Sequence, residues 1–378
     1  MSTDTMHLLV ISSNAESVIR FRGDFLRLAK AEGDVTLITS GDSPELESFC
    51  NANDIAVEFF QLERVGLSFL KDLNYCLKLR SAIRRIKPDL IFSYTLKPNL
   101  HGSILGKIEK VPCITMFTGL GQSFIERQKS SGIRRLGRIA TKLASKWASH
   151  VVFHNPHDRT LFCKLGWAKP SASTWVHGSG VDLKVYPPHR RLFNGTLTVG
   201  MLSRLREDKG VLYFCGAATE LAGNPKIQFK LAGPPAVGEN AVPLEFLERL
   251  EEEANFEYVG SLQSEAEVNR FLQGIDCFVL PSLREGTPRS TLEAMSTGLP
   301  VIMFAVPGCK HLIKGNGRSV KKIDVRSLAA AILDLSHSSE ADMNQMAEAS
   351  LALVQDFCSI KVAEHMVKIC HAQVATTN

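Results

Sequence analysis

Charged and small residues gather in one stretch of the last third of the sequence. Arg284-Glu-Gly-Thr-Pro-Arg-Ser-Thr-Leu-Glu293 follows an apolar run that ends at Pro281, and Pro288 predicts the start of a helix. Gly286 lets the backbone bend closely around a ligand. Because the first amide groups of a helix are free donors at the positive end of its dipole, the segment predicts an anion site suited to a diphosphate.

Two carboxylates flank this predicted anion site. Glu285 lies in the loop, and Glu293 lies one to two turns along the predicted helix. A carboxylate in contact with a phosphate would repel it, so we expect both side chains to accept hydrogen bonds from hydroxyl groups at the two ends of a nucleotide sugar. The alternative interpretation is an ordinary strand–loop–helix junction with a capping glutamate.

A second basic segment, Ser203-Arg-Leu-Arg-Glu-Asp-Lys-Gly210, also stands between a predicted strand and a predicted helix. Arg204 and Lys209 are expected to bind the same phosphates, since arginine offers a planar fork of donors and lysine a point charge. Each such charge-assisted contact contributes about 1.5–3 kcal/mol. For the three residues at 206–208 we prefer the interpretation of solvated surface charge.

Other motifs of the sequence do not predict a nicotinamide, metal or nucleic-acid site. Gly119-Leu-Gly-Gln-Ser-Phe124 has phenylalanine where a dinucleotide fingerprint has its third glycine, which argues against a nicotinamide site. His154-Asn-Pro-His157 is too short for a metal pair and is interpreted as polar residues that close a strand. No aromatic-interleaved basic platform points to nucleic acid.

The elements that must position these residues alternate between apolar strands and helices, which predicts an α/β protein with parallel sheets. Ligands collect at the carboxyl ends of parallel strands, where both charged segments lie. The predicted strands cover residues 7–12, 35–39, 90–94, 113–117, 151–154, 197–201, 228–233, 257–260, 277–281 and 301–304.

Length predicts two domains, because 378 residues exceed the roughly 250–300 at which a single core stops growing. The chain becomes rich in glycine and proline around 176–188, which indicates a hinge. We therefore predict an N-terminal domain over 1–187 and a C-terminal domain over 188–359. The final helix, about 360–378, is expected to cross back to the first domain.

Composition narrows the class of protein. Hydrophobic residues make up 44% and charged residues 22%, which excludes a disordered chain, a collagen-like repeat and a small disulfide scaffold. No apolar run approaches the 18–20 or so residues of a membrane-spanning helix, and no export signal is expected at the N-terminus. Nine scattered cysteines without a Cys-x-x-Cys pair predict free thiols in the cytoplasm and no zinc site.

Charge divides unevenly between the two halves. Residues 1–190 hold 26 Lys and Arg against 17 Asp and Glu, whereas the remainder holds 18 against 22. Much of the excess lies in an amphipathic basic stretch from Arg127 to Lys146. This stretch is interpreted either as a solvated helix face or as an attachment surface for anionic lipid.

The charged segments resemble known sites. Glu285–Glu293, with Val306-Pro-Gly-Cys309, resembles the nucleotide-sugar site of retaining glycosyltransferases of family 4, and Ser203–Gly210 resembles their phosphate-binding loop. Motifs of the first half resemble the subgroup that builds bacterial surface polysaccharides: Asn14 with Phe21-Arg22, and residues 94–102, 118–121, 155–159 and 177–182. The resemblance implies the GT-B architecture of two Rossmann-like, doubly wound domains that face a cleft.

The resemblance also implies roles for particular residues. Glu285 would accept hydrogen bonds from the donor sugar, Glu293 would hold the ribose hydroxyls, and Arg204 and Lys209 would neutralise the diphosphate; Glu285, Arg204 and Lys209 are the expected catalytic residues. The rest of the donor site would be the loop Gly286, Thr287, Pro288 and Arg289. On the acceptor side we expect Asn14, Lys97, Gly119 and Gly121.

The implied function is transfer of a hexose or an N-acetylhexosamine from a UDP-sugar to a polyprenyl-diphosphate-linked glycan of a surface polysaccharide such as the lipopolysaccharide O-antigen. No metal is expected, and the enzyme is expected in the cytoplasm, peripheral on the inner face of the membrane. Two alternatives stay open: a nucleotide-sugar epimerase or hydrolase on the same scaffold, and a catalytically silent nucleotide-sugar-binding partner protein. Ala305 and His311, which depart from the family pattern, motivate the last.

Overall fold

A computed structural model describes residues 6–62, 69–120, 132–191, 195–238, 240–253 and 255–376. The chain divides into two compact units, Met1–Gly180 with Ser359–Asn378, and Val181–Cys358. The units part at 180/181, seven residues before the boundary expected from the sequence. The reason is that Val181 and Tyr186 are buried in the hydrophobic core of the second unit.

The first unit contains a sheet of seven parallel strands in the order β3-β2-β1-β4-β5-β6-β7. The strands are β1 Met6–Ile11, β2 Gly33–Thr39, β3 Ala56–Phe59, β4 Leu90–Tyr94, β5 Cys113–Phe117, β6 His150–Phe153 and β7 Ser173–Trp175. The helices are α1 Val18–Glu32, α2 Pro44–Ala52, α3 Phe69–Ile86, α4 Leu96–Glu109, α5 Gly132–Trp147, α6 Pro156–Lys164 and, from the end of the chain, α13 Ser359–Ala375.

The second unit contains a sheet of six parallel strands in the order β10-β9-β8-β11-β12-β13. The strands are β8 Leu197–Leu202, β9 Ile227–Ala232, β10 Phe256–Gly260, β11 Cys277–Leu280, β12 Val301–Phe304 and β13 Gly317–Val320. The helices are α7 Val211–Glu220, α8 Leu244–Glu253, α9 Glu265–Gln273, α10 Arg289–Ser296, α11 Val325–Ser336 and α12 Glu340–Val354.

These sheets confirm the α/β class with two Rossmann-like, doubly wound domains. All ten strands predicted from apolar runs are present, and the three that the sequence did not reveal, β3, β7 and β13, lie at sheet edges. Edge strands are covered less completely, so they lack the continuous apolar run of a strand buried on both faces. The burial pattern agrees, because β4, β5, β11 and β12 are buried throughout whereas β3 has no buried residue.

In each sheet, the strands that follow the first strand are added on one side of it, and the later strands are added on its other side. This change of direction falls between β1 and β4 in the first sheet and between β8 and β11 in the second. Loops that follow the two strands diverge there and leave a crevice at the carboxyl edge, the usual ligand site of such sheets. No helix of the described ranges is both long and apolar enough to cross a bilayer.

Candidate active site

The carboxyl edge of the second sheet brings three loops together. Residues 203–210 follow β8, residues 281–288 follow β11, and residues 305–309 follow β12, and these three strands are neighbours. Both charged segments singled out from the sequence therefore lie at one switch point, as the strand order requires.

Lys209 and Glu285 form an ion pair at the centre of this edge. The Nζ atom of Lys209 lies 2.7 Å from Oε1 of Glu285, and the two side chains are 22% and 11% exposed. The hydroxyl of buried Ser282 donates to the same Oε1 at 2.8 Å and lies 3.3 Å from the carbonyl oxygen of Lys209. Oε2 of Glu285 has no hydrogen-bond partner among the described residues, so this oxygen is available to accept a hydrogen bond from a ligand hydroxyl.

Two glycines let these loops approach each other. Gly210 has φ +81°, and a Cβ at this position would stand 2.0 Å from the carbonyl oxygen of Pro281. Gly308 has φ +85°, and its Cβ would stand 2.1 Å from the carbonyl oxygen of Glu285. The amide of Glu285 also donates to the carbonyl oxygen of Pro307 at 3.2 Å. The position of Glu285 thus depends on glycine in the neighbouring loop.

Helix α10 begins at Arg289, with Pro288 as its N-cap residue at φ −71° and ψ 115°, which confirms the predicted helix start. The proline side chain makes no capping hydrogen bond at this helix start. The two preceding loop residues, Gly286 and Thr287, are buried and half-buried. This arrangement offers donors and the positive end of the helix dipole to an anion.

Glu293 lies on α10 and is only 1% exposed. Its Oε1 accepts a hydrogen bond from Nε of Arg289 at 2.9 Å, one turn earlier on the same helix. A guanidinium nitrogen of Arg289 also lies 3.8 Å from a carboxylate oxygen of Glu265. The charge of Arg289 is therefore offset by carboxylates, and Glu293 is held in one orientation.

Arg204 differs from the other cations of these loops. It follows β8 directly, is exposed, and its guanidinium has no partner in the part of the chain that the structure describes. Arg206 instead pairs with Asp208 at 2.7 Å, and the two side chains are 18% and 19% exposed. The segment thus combines one solvent-facing cation, Arg204, with a second, Lys209, that is already fixed by a carboxylate.

The expected acceptor-side residues occupy the carboxyl edge of the first sheet. Asn14 follows β1, and its carbonyl oxygen accepts from the hydroxyl of Ser17 at 3.1 Å. Lys97 is in the first turn of α4, and its Nζ lies 2.8 Å from a carboxylate oxygen of Asp72 on α3. Gly119 follows β5 with φ +154°. Gly121 lies outside the described residues.

Two residues of these edges were not assigned a role from the sequence. Ser282 was overlooked because a serine after a strand is unremarkable by itself; the available signal was its place between the buried strand and Glu285. Arg22 appears in a motif of the first half, and its position four residues after Val18 places it on the buried face of α1 with Phe25 and Ala29. An arginine on an apolar helix face was the signal for it.

Each half of the chain matches a glycosyltransferase family model. Residues 8–155 match the model described as glycosyl transferase 4-like, and residues 196–338 match the model of glycosyl transferases group 1. The second match contains all the charged residues assembled at the edge of the second sheet.

Curated relatives cover most of the chain. It is 26% identical over 324 residues to the N,N'-diacetylbacillosaminyl-diphospho-undecaprenol alpha-1,3-N-acetylgalactosaminyltransferase of Campylobacter jejuni, with 82% of this chain and 83% of the relative covered. It is 25% identical over 334 residues to the UDP-Gal:alpha-D-GlcNAc-diphosphoundecaprenol alpha-1,3-galactosyltransferase of Escherichia coli, with 82% of each covered.

A solved structure shows the same fold. The crystal structure of Anabaena HepE in complex with UDP and glucose superimposes with a TM-score of 0.76 at 18% identity and covers 97% of this chain and 100% of that one. Sequence models, relatives and fold agree that the chain is a glycosyltransferase, whose first half matches the glycosyl transferase 4-like model and whose second half matches the group 1 model.

Proposed function

We propose that this glycosyltransferase transfers a sugar from a UDP-sugar to a glycan linked to polyprenyl diphosphate, with retention of anomeric configuration. The observation that carries the proposal is the assembly of Arg204, Lys209, Glu285 and the start of α10 at one switch point. The names of the two curated relatives support it, because both contain an undecaprenol diphosphate and one contains a UDP-sugar.

In the proposed donor complex the positive groups hold the diphosphate. Lys209 has three N–H donors and gives one to Glu285, so two remain for phosphate oxygens. Arg204 adds a planar fork, and the first amides of α10 add uncharged donors. Oε2 of Glu285 accepts a hydrogen bond from a hydroxyl of the donor sugar, while buried Glu293 faces the ribose hydroxyls.

In the proposed reaction, the bond between the anomeric carbon and the leaving diphosphate oxygen breaks. A bond from the acceptor hydroxyl oxygen to the same carbon forms on the same face, and the hydroxyl proton passes to the leaving phosphate oxygen. The chain therefore needs no carboxylate base, and its task is to stabilise negative charge on the diphosphate. The resemblance implies no metal, so we expect turnover in excess EDTA to equal that in buffer.

Membrane attachment is proposed for the first unit, where the lipid-linked acceptor would bind. Helix α5 exposes Leu136 and Ile139, at 42% and 45%, beside exposed Arg135 and Arg138. Residues 127–131 of the basic stretch lie outside the described residues. Apolar side chains next to arginines suit an anionic lipid surface. We propose that the enzyme is peripheral on the inner face of the cell membrane.

The deciding experiment combines the purified protein with a panel of UDP-sugars and a membrane lipid extract, followed by mass spectrometry of the lipids. A polyprenyl-diphosphate glycan heavier by one hexose or N-acetylhexosamine is expected. Change of the UDP-sugar without lipid would instead indicate an epimerase or hydrolase, and donor binding without any product would indicate a silent partner. Both curated relatives are named as transferases, so their names favour neither the epimerase or hydrolase nor the silent partner protein.

A further inference from the structure

Arg22, on α1, is a cation buried within the first unit. It is 2% exposed, and within the described part of the chain its guanidinium donates to neutral groups only. Nη1 donates to the carbonyl oxygen of Phe21 at 2.7 Å and to the hydroxyl of Ser179 at 3.2 Å. Nη2 donates to Nε2 of His154 at 3.1 Å and to the sulfur of Met116 at 2.9 Å. No carboxylate of the described residues pairs with it.

Burial of a charge without a counterion is strongly unfavourable, so a folded chain normally pairs such a group. Arg22 even leaves its Nε without a hydrogen-bond partner in the described part of the molecule. Arg191 of the second unit, which is 9% exposed, shows the contrast, because its three nitrogens all donate to backbone carbonyl oxygens, among them those of Leu272 and Thr297. The hydrogen bonds of Arg191 explain why the folded protein buries it, whereas the contacts of Arg22 do not explain its burial.

The groups around Arg22 do not cancel its charge. Burial lowers the pKa of Arg22 to about 10, which still leaves it protonated at neutral pH. Burial, with the Arg22 charge, holds the pKa of His154 well below its ordinary value, so that ring is neutral. Burial raises the pKa of the Tyr94 hydroxyl, so it is neutral too. The cluster therefore carries one net positive charge.

This charge lies behind the switch point of the first sheet. The guanidinium is 5.1 Å from the ring centroid of Tyr94, the last residue of β4, which is the neighbour of β1 at that point. The hydroxyls of Ser13, after β1, and Thr95, after β4, are 2.8 Å apart. Thr95 has φ +73° and ψ 160°, a conformation that β-branched residues avoid and that is concentrated at functional sites.

We propose that Arg22 is the buried charge of an anion site at the switch point of the first sheet, formed by Ser13, Asn14 and Thr95, and that this site takes the diphosphate of the lipid-linked acceptor. The identity of the anion rests on the proposed function. Arg22 acts through its field rather than by contact, since a charge surrounded by apolar groups is screened less than one in water. The hydroxyls and loop amides make the contacts.

The experiment titrates farnesyl diphosphate, a short isoprenyl diphosphate, into the full chain by calorimetry with UDP at saturation, and uses farnesol as the control for the apolar chain. Arg22→Met removes the charge at similar volume, and Arg22→Lys keeps it. We expect the affinity for farnesyl diphosphate to fall about tenfold in Arg22→Met and to stay within about threefold in Arg22→Lys. Farnesol binding is expected to be equal in both.

Thermal unfolding separates this role from a structural one. Removal of an unpaired buried charge is neutral or stabilising, so Arg22→Met is expected to keep or raise the melting temperature. Arg191→Met, the matched control, is expected to lower the melting temperature and to leave farnesyl diphosphate affinity unchanged. If Arg22→Met fails to fold, Ser13→Ala and Asn14→Ala test the anion site instead. Each is expected to weaken the binding of farnesyl diphosphate.

Unchanged farnesyl diphosphate affinity in Arg22→Met, equal losses in the Met and Lys variants, or unchanged affinity in both Ser13→Ala and Asn14→Ala would overturn the proposal. UDP affinity is measured separately. A chain that binds farnesyl diphosphate through Arg22 but does not bind UDP contradicts the proposed donor site and leaves the anion site of the first sheet standing.

Discussion

At the scale of single residues, the donor site depends on cations whose charges are balanced differently. Lys209 is fixed by Glu285, whereas exposed Arg204 has no such partner among the described residues. A fixed ammonium group is preorganised for charge that develops on a leaving diphosphate, because it does not have to move as the bond breaks. Glu285 gains from the same contact, since the ion pair and Ser282 hold its carboxylate in place.

The Lys209→Ala substitution tests this preorganisation. We expect turnover to fall by about 10²–10³, the usual cost of one lost donor to developing charge. The matched control is Lys230→Ala, which removes a solvent-exposed ion pair with Glu257 in the same unit and is expected to leave turnover unchanged. Initial rates with a fixed donor and acceptor measure both. Wild-type turnover in Lys209→Ala would contradict the assignment of Lys209.

At the scale of elements, the sequence was most informative where strands are fully buried. The predicted runs gave β4, β5, β11 and β12, since a strand covered on both faces has a nearly continuous apolar sequence. The helix at Pro288 was also predictable, because proline has a fixed φ and no amide hydrogen. The ion pair between residues 209 and 285 was not predicted, since it joins side chains that are 76 residues apart in sequence.

Glycine conformation gives a prediction at this scale. Gly210 and Gly315 both have φ +81°, but a Cβ at 210 meets the Pro281 carbonyl oxygen at 2.0 Å, whereas a Cβ at 315 meets nothing within 4 Å. Gly210→Ala must therefore displace the loop that carries Lys209, and a displacement of about 1 Å costs about 100-fold in rate. Gly315→Ala shares only the backbone strain, about 1–3 kcal/mol of stability.

Initial rates and chemical denaturation of the two glycine variants provide the measurement. We expect Gly210→Ala to lose most of its turnover and Gly315→Ala to keep the wild-type rate with a modest loss of stability. Equal turnover in the two variants would show that the contact between the loops does not position Lys209.

At the scale of the whole molecule, the two units differ in charge and in their buried histidines. Basic residues are in excess in the first half and acidic residues in the second. In the first unit, loss of hydration lowers the pKa of three buried histidines, His101, His150 and His154, and also lowers the pKa of His365, which is exposed. Membrane attachment and acid sensitivity are therefore both expected of the first unit.

Vesicle sedimentation tests membrane attachment. The double substitution Arg135→Glu with Arg138→Glu reverses two exposed charges on α5, and each basic residue near an anionic surface contributes about 1 kcal/mol. We expect affinity for anionic vesicles to fall at least about tenfold. Lys226→Glu with Arg326→Glu changes the net charge equally in the second unit and should bind as the wild type does. Equal binding of the wild type to neutral and anionic vesicles would refute the electrostatic attachment.

Acidification gives a separate prediction. A histidine whose pKa is lower in the folded than in the unfolded state binds fewer protons when folded, so the free energy of unfolding decreases as pH falls below about 6.5. The slope is up to about 1.4 kcal/mol per pH unit for each histidine that stays neutral in the fold. Hydrogen exchange is expected to show faster opening of the first unit at pH about 5.5 than at about 7.5, after correction for intrinsic rates.

The matched variant for this measurement is His154→Gln, which removes one titrating group of the first unit and should reduce its pH slope. The same acid sensitivity in the variant and the wild type would show that His154 does not contribute to it.

Local sequence patterns were enough to predict the α/β class, the positions of the buried strands along the chain, the helix start at Pro288 and the two charged segments after β8 and β11. These follow from local patterns, because burial, backbone conformation and charge are properties of neighbouring residues. The three-dimensional structure was needed to show that Lys209 pairs with Glu285, that Lys97 pairs with Asp72, and that Arg22 is buried with no carboxylate partner in the described ranges. Those outcomes depend on which distant side chains share a buried space, and that is set by the packing of the whole sheet.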